Sequence, residues 1–178
     1  MGRAIQKNQI SEIRRQLTLF LTKKKEVIEC IRAKFNPEQY QLISAHVTLC
    51  REEELESFDK VIANIKSITI AKPVCIEFGK IQRFSDGKGV WLPTAGENKA
   101  FHELRKAVLK GVIKQLYHHD PHITLMHPRN STCTNKIFNQ LIQYRLPTKL
   151  EFNKISLIEQ KLGGKWYTKE EFLISNTP

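Results

Sequence analysis

Hydrophobic and polar positions alternate from Arg15 to Thr22, a period of two that predicts a strand. The period then changes. From Lys24 to Phe35 the apolar residues Val27, Ile28, Ile31 and Phe35 recur at helical spacing, and Asn36-Pro37 is expected to end that helix. Tyr40 to Leu49 reads as a second strand. Glu52 to Ile65 reads as a helix, with four glutamates near its positive end and Leu55, Phe58, Val61, Ile62 and Ile65 in one stripe. Ile68 to Ile70 and Val74 to Phe84 are strand-like, and the Asp86-Gly87 turn predicts that Gly89 to Leu92 folds back as a hairpin. Asn98 to Leu116 reads as a basic amphipathic helix. The loop from Tyr117 leads to another strand, and Cys133 to Tyr144 to a helix capped by Thr132 or Thr134. Leu150 to Gln160 and Lys165 to Leu173 form a last hairpin around Gly163-Gly164, and residues 1–10 read as a polar lead-in.

Two echoes run through this pattern. Ala45-His46-Val47-Thr48-Leu49 returns 76 residues later as Pro121-His122-Ile123-Thr124-Leu125. "IEFGKI", Ile76 to Ile81, returns as "LEFNKI", Leu150 to Ile155. Each half therefore runs motif strand, helix, then a strand with Glu-Phe-x-Lys-Ile. That order is the mark of a duplicated α+β unit, although two copies are too few for a solenoid.

Composition narrows the classes. A chain of 178 residues suits one domain, 1–178, with a sizeable core. No apolar run approaches the ~20 residues of a membrane span. Leu17 to Leu21 is too short for a signal peptide, and Gln6 stands where a myristoylation signal needs Ser or Thr. Cys30, Cys50, Cys75 and Cys133 form no Cys-x-x-Cys pair, so reduced thiols in a cytoplasmic protein are expected. The net charge is +11, and residues 1–34 hold nine Lys or Arg against three Glu. Such a balance favours an anionic partner such as RNA or a nucleotide.

The motif spacing has a chemical meaning. On a strand, residues i and i+2 share a face, so His46 and Thr48 point one way while Val47 and Leu49 point into the core. The same holds for His122 and Thr124. Two His-Thr pairs facing each other across a cleft suit phosphodiester cleavage. A neutral imidazole takes a proton from water, a charged one gives a proton to the leaving oxygen, and the hydroxyls bind phosphate oxygens. The scheme needs no metal and no cofactor.

These paired His-x-Thr motifs resemble the two-histidine (2H) phosphoesterase superfamily, which includes RNA 2′,5′-ligase/cyclic phosphodiesterase-like proteins. The resemblance runs from near Leu17 to near Leu173. It implies a bilobal α+β fold of two pseudo-symmetric antiparallel-sheet lobes, with helices outside and a basic cleft between. It implies a metal-independent hydrolase acting on 2′,3′-cyclic phosphates, related cyclic nucleotides or 2′,5′-linked RNA, in RNA processing. His46 and His122 would be the acid/base pair, and Thr48 and Thr124 the phosphate binders. The sequence departs from many relatives in having His127 and Arg129 near an expected arginine, and Cys50-Arg51 after the first motif.

Other residues qualify as substrate contacts. Arg129 and His127 can meet phosphate, and Phe84 and Trp91, flanking the Ser85 to Gly89 turn, can stack on a base. Tyr117, Tyr167 and the Lys23 to Lys25 run are weaker candidates for RNA contact. The His118-His119-Asp120-Pro121-His122 run together with His127 raises a metal-dependent hydrolase as a rival. A second rival is a non-catalytic RNA-binding module that keeps the cleft. The expected partners are RNA ends or cyclic nucleotides, with no membrane and no protein partner, and the chain is expected to be a monomer.

Overall fold

The computed structural model describes residues 13–115 and 117–175. The lead-in expected over residues 1–10 lies outside the described residues. Nine strands and five α-helices follow one another in the described residues. They are β1 (Ile13–Phe20), α1 (Glu26–Phe35), α2 (Pro37–Leu42), β2 (His46–Cys50), α3 (Phe58–Lys66), β3 (Val74–Glu77), β4 (Gln82–Arg83) and β5 (Val90–Pro93). The second half continues with α4 (Lys99–Val108), β6 (His122–Met126), α5 (Asn135–Leu141), β7 (Lys149–Phe152), β8 (Lys154–Lys161) and β9 (Trp166–Leu173).

The fold is α+β. A seven-stranded sheet has the order β4-β5-β6-β2-β1-β8-β9, antiparallel throughout, and β3 pairs with β7 in a second, two-stranded sheet. Strands of the two halves interleave in this sheet, joined at β5–β6, β6–β2 and β1–β8, with the motif strands β2 and β6 side by side. The repeated Glu-Phe segments also find each other: Ile76 stands opposite Leu150, which are equivalent positions of the two copies. The core gathers Leu17, Leu19, Val47, Leu49, Ile123 and Leu125 from the sheet and Ile28, Ile31, Val61, Ile65, Phe101 and Val108 from the helices, all essentially fully buried.

Several expected elements are redrawn. Tyr40 does not begin a strand. Pro37 ends α1 but opens α2, because its fixed φ suits a first helical turn, and Tyr40 to Leu42 belong to that helix. The helix expected from Glu52 breaks into a 3-10 turn over Glu52–Glu54 and then α3. Glu54 bends back to accept a bond from the Arg51 amide at 2.9 Å, and its carboxylate pairs with buried Arg105. Ile68 to Ile70 form no strand. α4 ends at Val108, short of Leu116, where the backbone turns through Gly111 at φ +67°. Leu116 itself lies outside the described residues. Asn153 divides the strand expected over Leu150 to Gln160 into β7 and β8. The expected hairpin of β4 and β5 forms, and Thr134 is the cap of α5, accepting from Ile137 N at 3.2 Å. None of the four cysteines is in a disulfide. Among the described residues, no helix is long and apolar enough to cross a membrane.

Candidate active site

Alternation along β2 and β6 decides what faces the interior. Val47, Leu49, Ile123 and Leu125 are fully buried, while His46, Thr48, His122 and Thr124 line a single cavity of about 460 Å³. Val47 stands opposite Ile123 across the β2–β6 pair. These are the middle residues of the two motifs, so the motifs are related by a local two-fold axis through that pair. Extending the antiparallel register by one residue sets His46 across from Thr124 and Thr48 across from His122. The outer pairings repeat the relation: His46 opposes Phe20, the last residue of β1, and His122 opposes Pro93, the last residue of β5.

The two imidazoles are held in the same way. His46 Nδ1–H donates to the Ser44 carbonyl at 2.8 Å, and His122 Nδ1–H donates to the Asp120 carbonyl at 3.1 Å. A carbonyl only accepts, so each bond fixes the proton on Nδ1 and leaves Nε2 as the basic nitrogen. Burial pushes His46 down to about 4, reinforced by Arg32 and His122 and opposed by the Ser44 bond. Burial also lowers His122, with Arg51 acting in the same direction and the Asp120 carbonyl and carboxylate against it. Both rings are therefore neutral near pH 7.

Arginines make the cavity electropositive. Arg14, Arg32, Arg51 and Arg129 line it, against Glu52 and Glu53. Arg14 is held by Glu52 at 2.8 Å, and Arg32 by Glu29 at 2.7 Å and the Ile43 carbonyl at 2.6 Å. Arg51 has only a loose partner in Glu53 at 3.9 Å, and Arg129 has no ion pair among the described residues. These last two are the cations most available to an anion. His127 also lines the cavity. Its backbone is tied to the α1–α2 corner, because its amide donates to Asn36 Oδ1 at 2.8 Å.

The residues expected from sequence thus come together unevenly. His46, Thr48, His122, Thr124, His127 and Arg129 share the cavity. Phe84 and Trp91 do not line it. Their rings stack on each other at 5.3 Å and meet the His122 ring edge-on at 6.3 and 5.2 Å, forming a wall behind that imidazole. Lys23 to Lys25 are exposed and outside the cavity, as are Tyr117 and Tyr167. The His118 to His122 run splits. His118 pairs with Asp120 at 2.7 Å and stacks on His102, whereas His119 turns inward to the carbonyl of Thr48 at 3.0 Å. Among the described residues, no group of three or more His, Cys, Asp or Glu is arranged to hold a metal ion.

Sequence reasoning named His119 only within a possible metal-binding run and missed Arg14, Gln16, Arg32, Gln160 and Trp166; all six line the cavity. For Arg14 and Gln16 a signal existed. They alternate with Thr18 on β1, and Thr18 opposes Thr48, so all share the face of the motif. Arg32, Gln160 and Trp166 carried no such signal, because which helix and which hairpin close the cavity is set by tertiary packing.

Comparisons with known proteins bear on the family and the fold. A family model described as the 2′-5′ RNA ligase superfamily matches residues 20–164. The fold is similar to that of E. coli LigT complexed with phosphate, with a TM-score of 0.61 and 17% identity, covering 93% of this chain and 100% of that one. For E. coli LigT complexed with 3′-AMP the TM-score is 0.62 at 15% identity, covering 92% and 98%. A solved structure described as a phosphoesterase gives 0.61 at 14% identity, covering 92% and 99%. No curated protein matches the sequence.

Proposed function

The chain belongs to the 2′-5′ RNA ligase superfamily, and from that premise we propose that it is a two-histidine phosphodiesterase that hydrolyses 2′,3′-cyclic phosphates or related cyclic or 2′,5′-linked nucleotides. One observation carries the reading. His46 and His122 are locked by equivalent Nδ1–carbonyl bonds, two-fold related, with their Nε2 atoms unprotonated in one arginine-lined cavity. Paired, pre-oriented imidazoles are what proton transfer at both ends of a displacement at phosphorus requires.

In this reading the phosphate sits on the two-fold axis. Nε2 of one histidine takes the proton of the attacking water. The other, charged once the anionic substrate has raised its affinity for protons, donates to the departing ribose oxygen. Thr48 and Thr124 donate hydroxyl hydrogens to the non-bridging oxygens, and Arg129 and Arg51 offset the negative charge. Thus the P–O bond to the ribose breaks, the bond to water oxygen forms, and the proton count is conserved across the pair. LigT is known in complex with phosphate and with 3′-AMP, the kinds of groups this cavity would receive.

The test is hydrolysis of a mononucleoside 2′,3′-cyclic phosphate in the presence of EDTA. Turnover that survives chelation and collapses in both His46→Ala and His122→Ala supports the proposal. Turnover indifferent to either substitution, or salt-sensitive RNA binding with no turnover of cyclic or 2′,5′-linked substrates, overturns it.

A further inference from the structure

The cavity extends well beyond the two imidazoles in one direction. Along β1 the residues Phe20, Thr18, Gln16 and Arg14 share the motif face. β8 lies beside β1 with Ser156 opposite Thr18, Ile158 opposite Gln16 and Gln160 opposite Arg14. β9 completes the row, with Trp166 opposite Gln160. The lining of the cavity follows this row through Gln16, Arg14 and Gln160 to Trp166, and ends at Gly163 in the turn of the last hairpin. Four residues along β1 and three strand spacings separate Thr48 from Trp166, on the order of 20 Å between backbones. That span is longer than one nucleotide.

The far end is a built feature. The Arg14 guanidinium packs over the Trp166 ring at 5.5 Å and is itself fixed by Glu52 at 2.8 Å and Gln160 Oε1 at 3.2 Å. Gln160 Nε2 donates to the Gly164 carbonyl at 2.7 Å, which holds the turn against the strand that bears Trp166. Trp166 is only half-buried. Lys161 and Lys165 flank the same turn, exposed and without an ion pair among the described residues. A tryptophan held in a cationic groove, continuous with a phosphate-sized polar centre, is the combination that binds single-stranded nucleic acid by stacking and charge.

We propose that the β1–β8–β9 wall is a strand-binding extension of the site, in which Trp166 stacks a base of an oligoribonucleotide whose scissile phosphate lies between His46 and His122. This rests on the phosphodiesterase reading and names its substrate class: an RNA strand rather than a free mononucleotide. Arg14 and Gln160 act as positioning residues for the ring, and the Lys161–Lys165 turn supplies charge to the strand as it leaves.

The test compares two substrates, a trinucleotide ending in a 2′,3′-cyclic phosphate and the matching mononucleoside 2′,3′-cyclic phosphate. The preference is the ratio of their kcat/KM values. Trp166→Ala is expected to lower that ratio by about 5- to 100-fold, the cost of one lost stacked base, and Trp166→Phe to restore part of it. A ratio unchanged in Trp166→Ala overturns the extension, even if both substrates are hydrolysed. If neither substrate is turned over, the phosphodiesterase reading fails by itself, and fluorescence anisotropy of a labelled trinucleotide decides the extension. Weaker binding by Trp166→Ala than by wild type or Trp166→Phe supports it, and equal binding by all three overturns it.

Discussion

His119, in the loop before the second motif, donates its Nε2–H to the backbone carbonyl of Thr48 in the first motif, at 3.0 Å. The ring is buried, lies against Phe101, and stands 6.1 Å from the His122 ring. β2 and β6 share a single paired position, Val47 with Ile123. His119 is therefore a second tie between the two halves of the site, made by a side chain where the ladder has stopped. It touches no reacting atom, so it is a positioning residue. His119→Phe should lower kcat by about 10- to 100-fold, since small misplacements of paired catalytic groups cost that much. His119→Gln, which keeps a donor at similar reach, should recover part of the loss. Steady-state kinetics on a 2′,3′-cyclic nucleotide check this, and equal loss in both variants would point to packing alone.

Burial pushes His119 as well as His46 down to about 4. In the unfolded chain these rings take up protons near pH 6.5; in the fold they resist until much lower pH. Their contribution to stability is thus complete above pH 6.5 and lost as pH falls from 6.5 toward 4. His119 is buried but lines the cavity, so solvent reaches it there and reduces the size of this loss. Thermal melts across pH 4 to 8 should show the midpoint falling below pH 6.5, and His119→Gln should flatten part of that slope.

The same shifts set the expected rate profile. Catalysis by the pair needs one imidazole neutral and one charged. With His122 held below its ordinary value and His46 near 4, the singly protonated free protein is most populated below pH 6.5. The optimum of kcat/KM, which reports the free protein, should therefore lie below pH 6.5. Bound phosphate favours the charged imidazole, so the optimum of kcat should lie at higher pH. A pH series of both parameters tests the pair, and a kcat/KM optimum at or above pH 7 would falsify the assignment.

Buried Arg105 depends on Glu54. The two form an ion pair with side chains 2% and 8% exposed, and Glu54 also accepts from the Arg51 amide at 2.9 Å. Glu54→Gln leaves a guanidinium charge in the interior and should cost about 3–5 kcal/mol. The double variant Arg105→Met with Glu54→Gln should be more stable than Glu54→Gln alone, because no uncompensated charge remains. Urea denaturation at pH 7 measures the difference.

Much of the site was legible because strand alternation is local. His46, Thr48, His122 and Thr124 were placed on one face by spacing alone, and the echo of Ile76 in Leu150 became a direct pairing. What was not legible depends on contacts between distant segments. Pro37 was read as an end when it is also a beginning, and the run of glutamates hid a break made by Arg105 from 51 residues away. From sequence alone Trp91 can either stack on a base or pack in the core. It lies on the strand next to β6, where pairing with Thr124 turns it against His122. Trp166 reaches the cavity because β9 pairs with β8, as the Gly163-Gly164 turn announces, and because β8 pairs with β1, which no local pattern announces.

The aromatic wall behind His122 depends on the absence of a side chain at Gly89. A Cβ there would sit 2.6 Å from Phe84 Cδ2, 2.8 Å from the Met126 carbonyl oxygen and 2.8 Å from Pro128 Cδ. One of these obstacles is a ring that can swing; the other two are backbone and a proline ring, which cannot yield cheaply. Gly89→Ala should therefore destabilise the protein by about 1–3 kcal/mol, the usual cost of overpacking. Because Phe84 is stacked on Trp91, and both abut His122, the displacement should also reach the site. Trp91 emission should shift to longer wavelength as the stack loosens, and kcat should fall more than KM rises. Adding Phe84→Leu removes only one of the three clashes, so stability should recover in part while the site, lacking its wall, should not. Melting temperature and turnover measured on the single and double variants separate the two effects; recovery of both together would show that the wall has no part in holding His122.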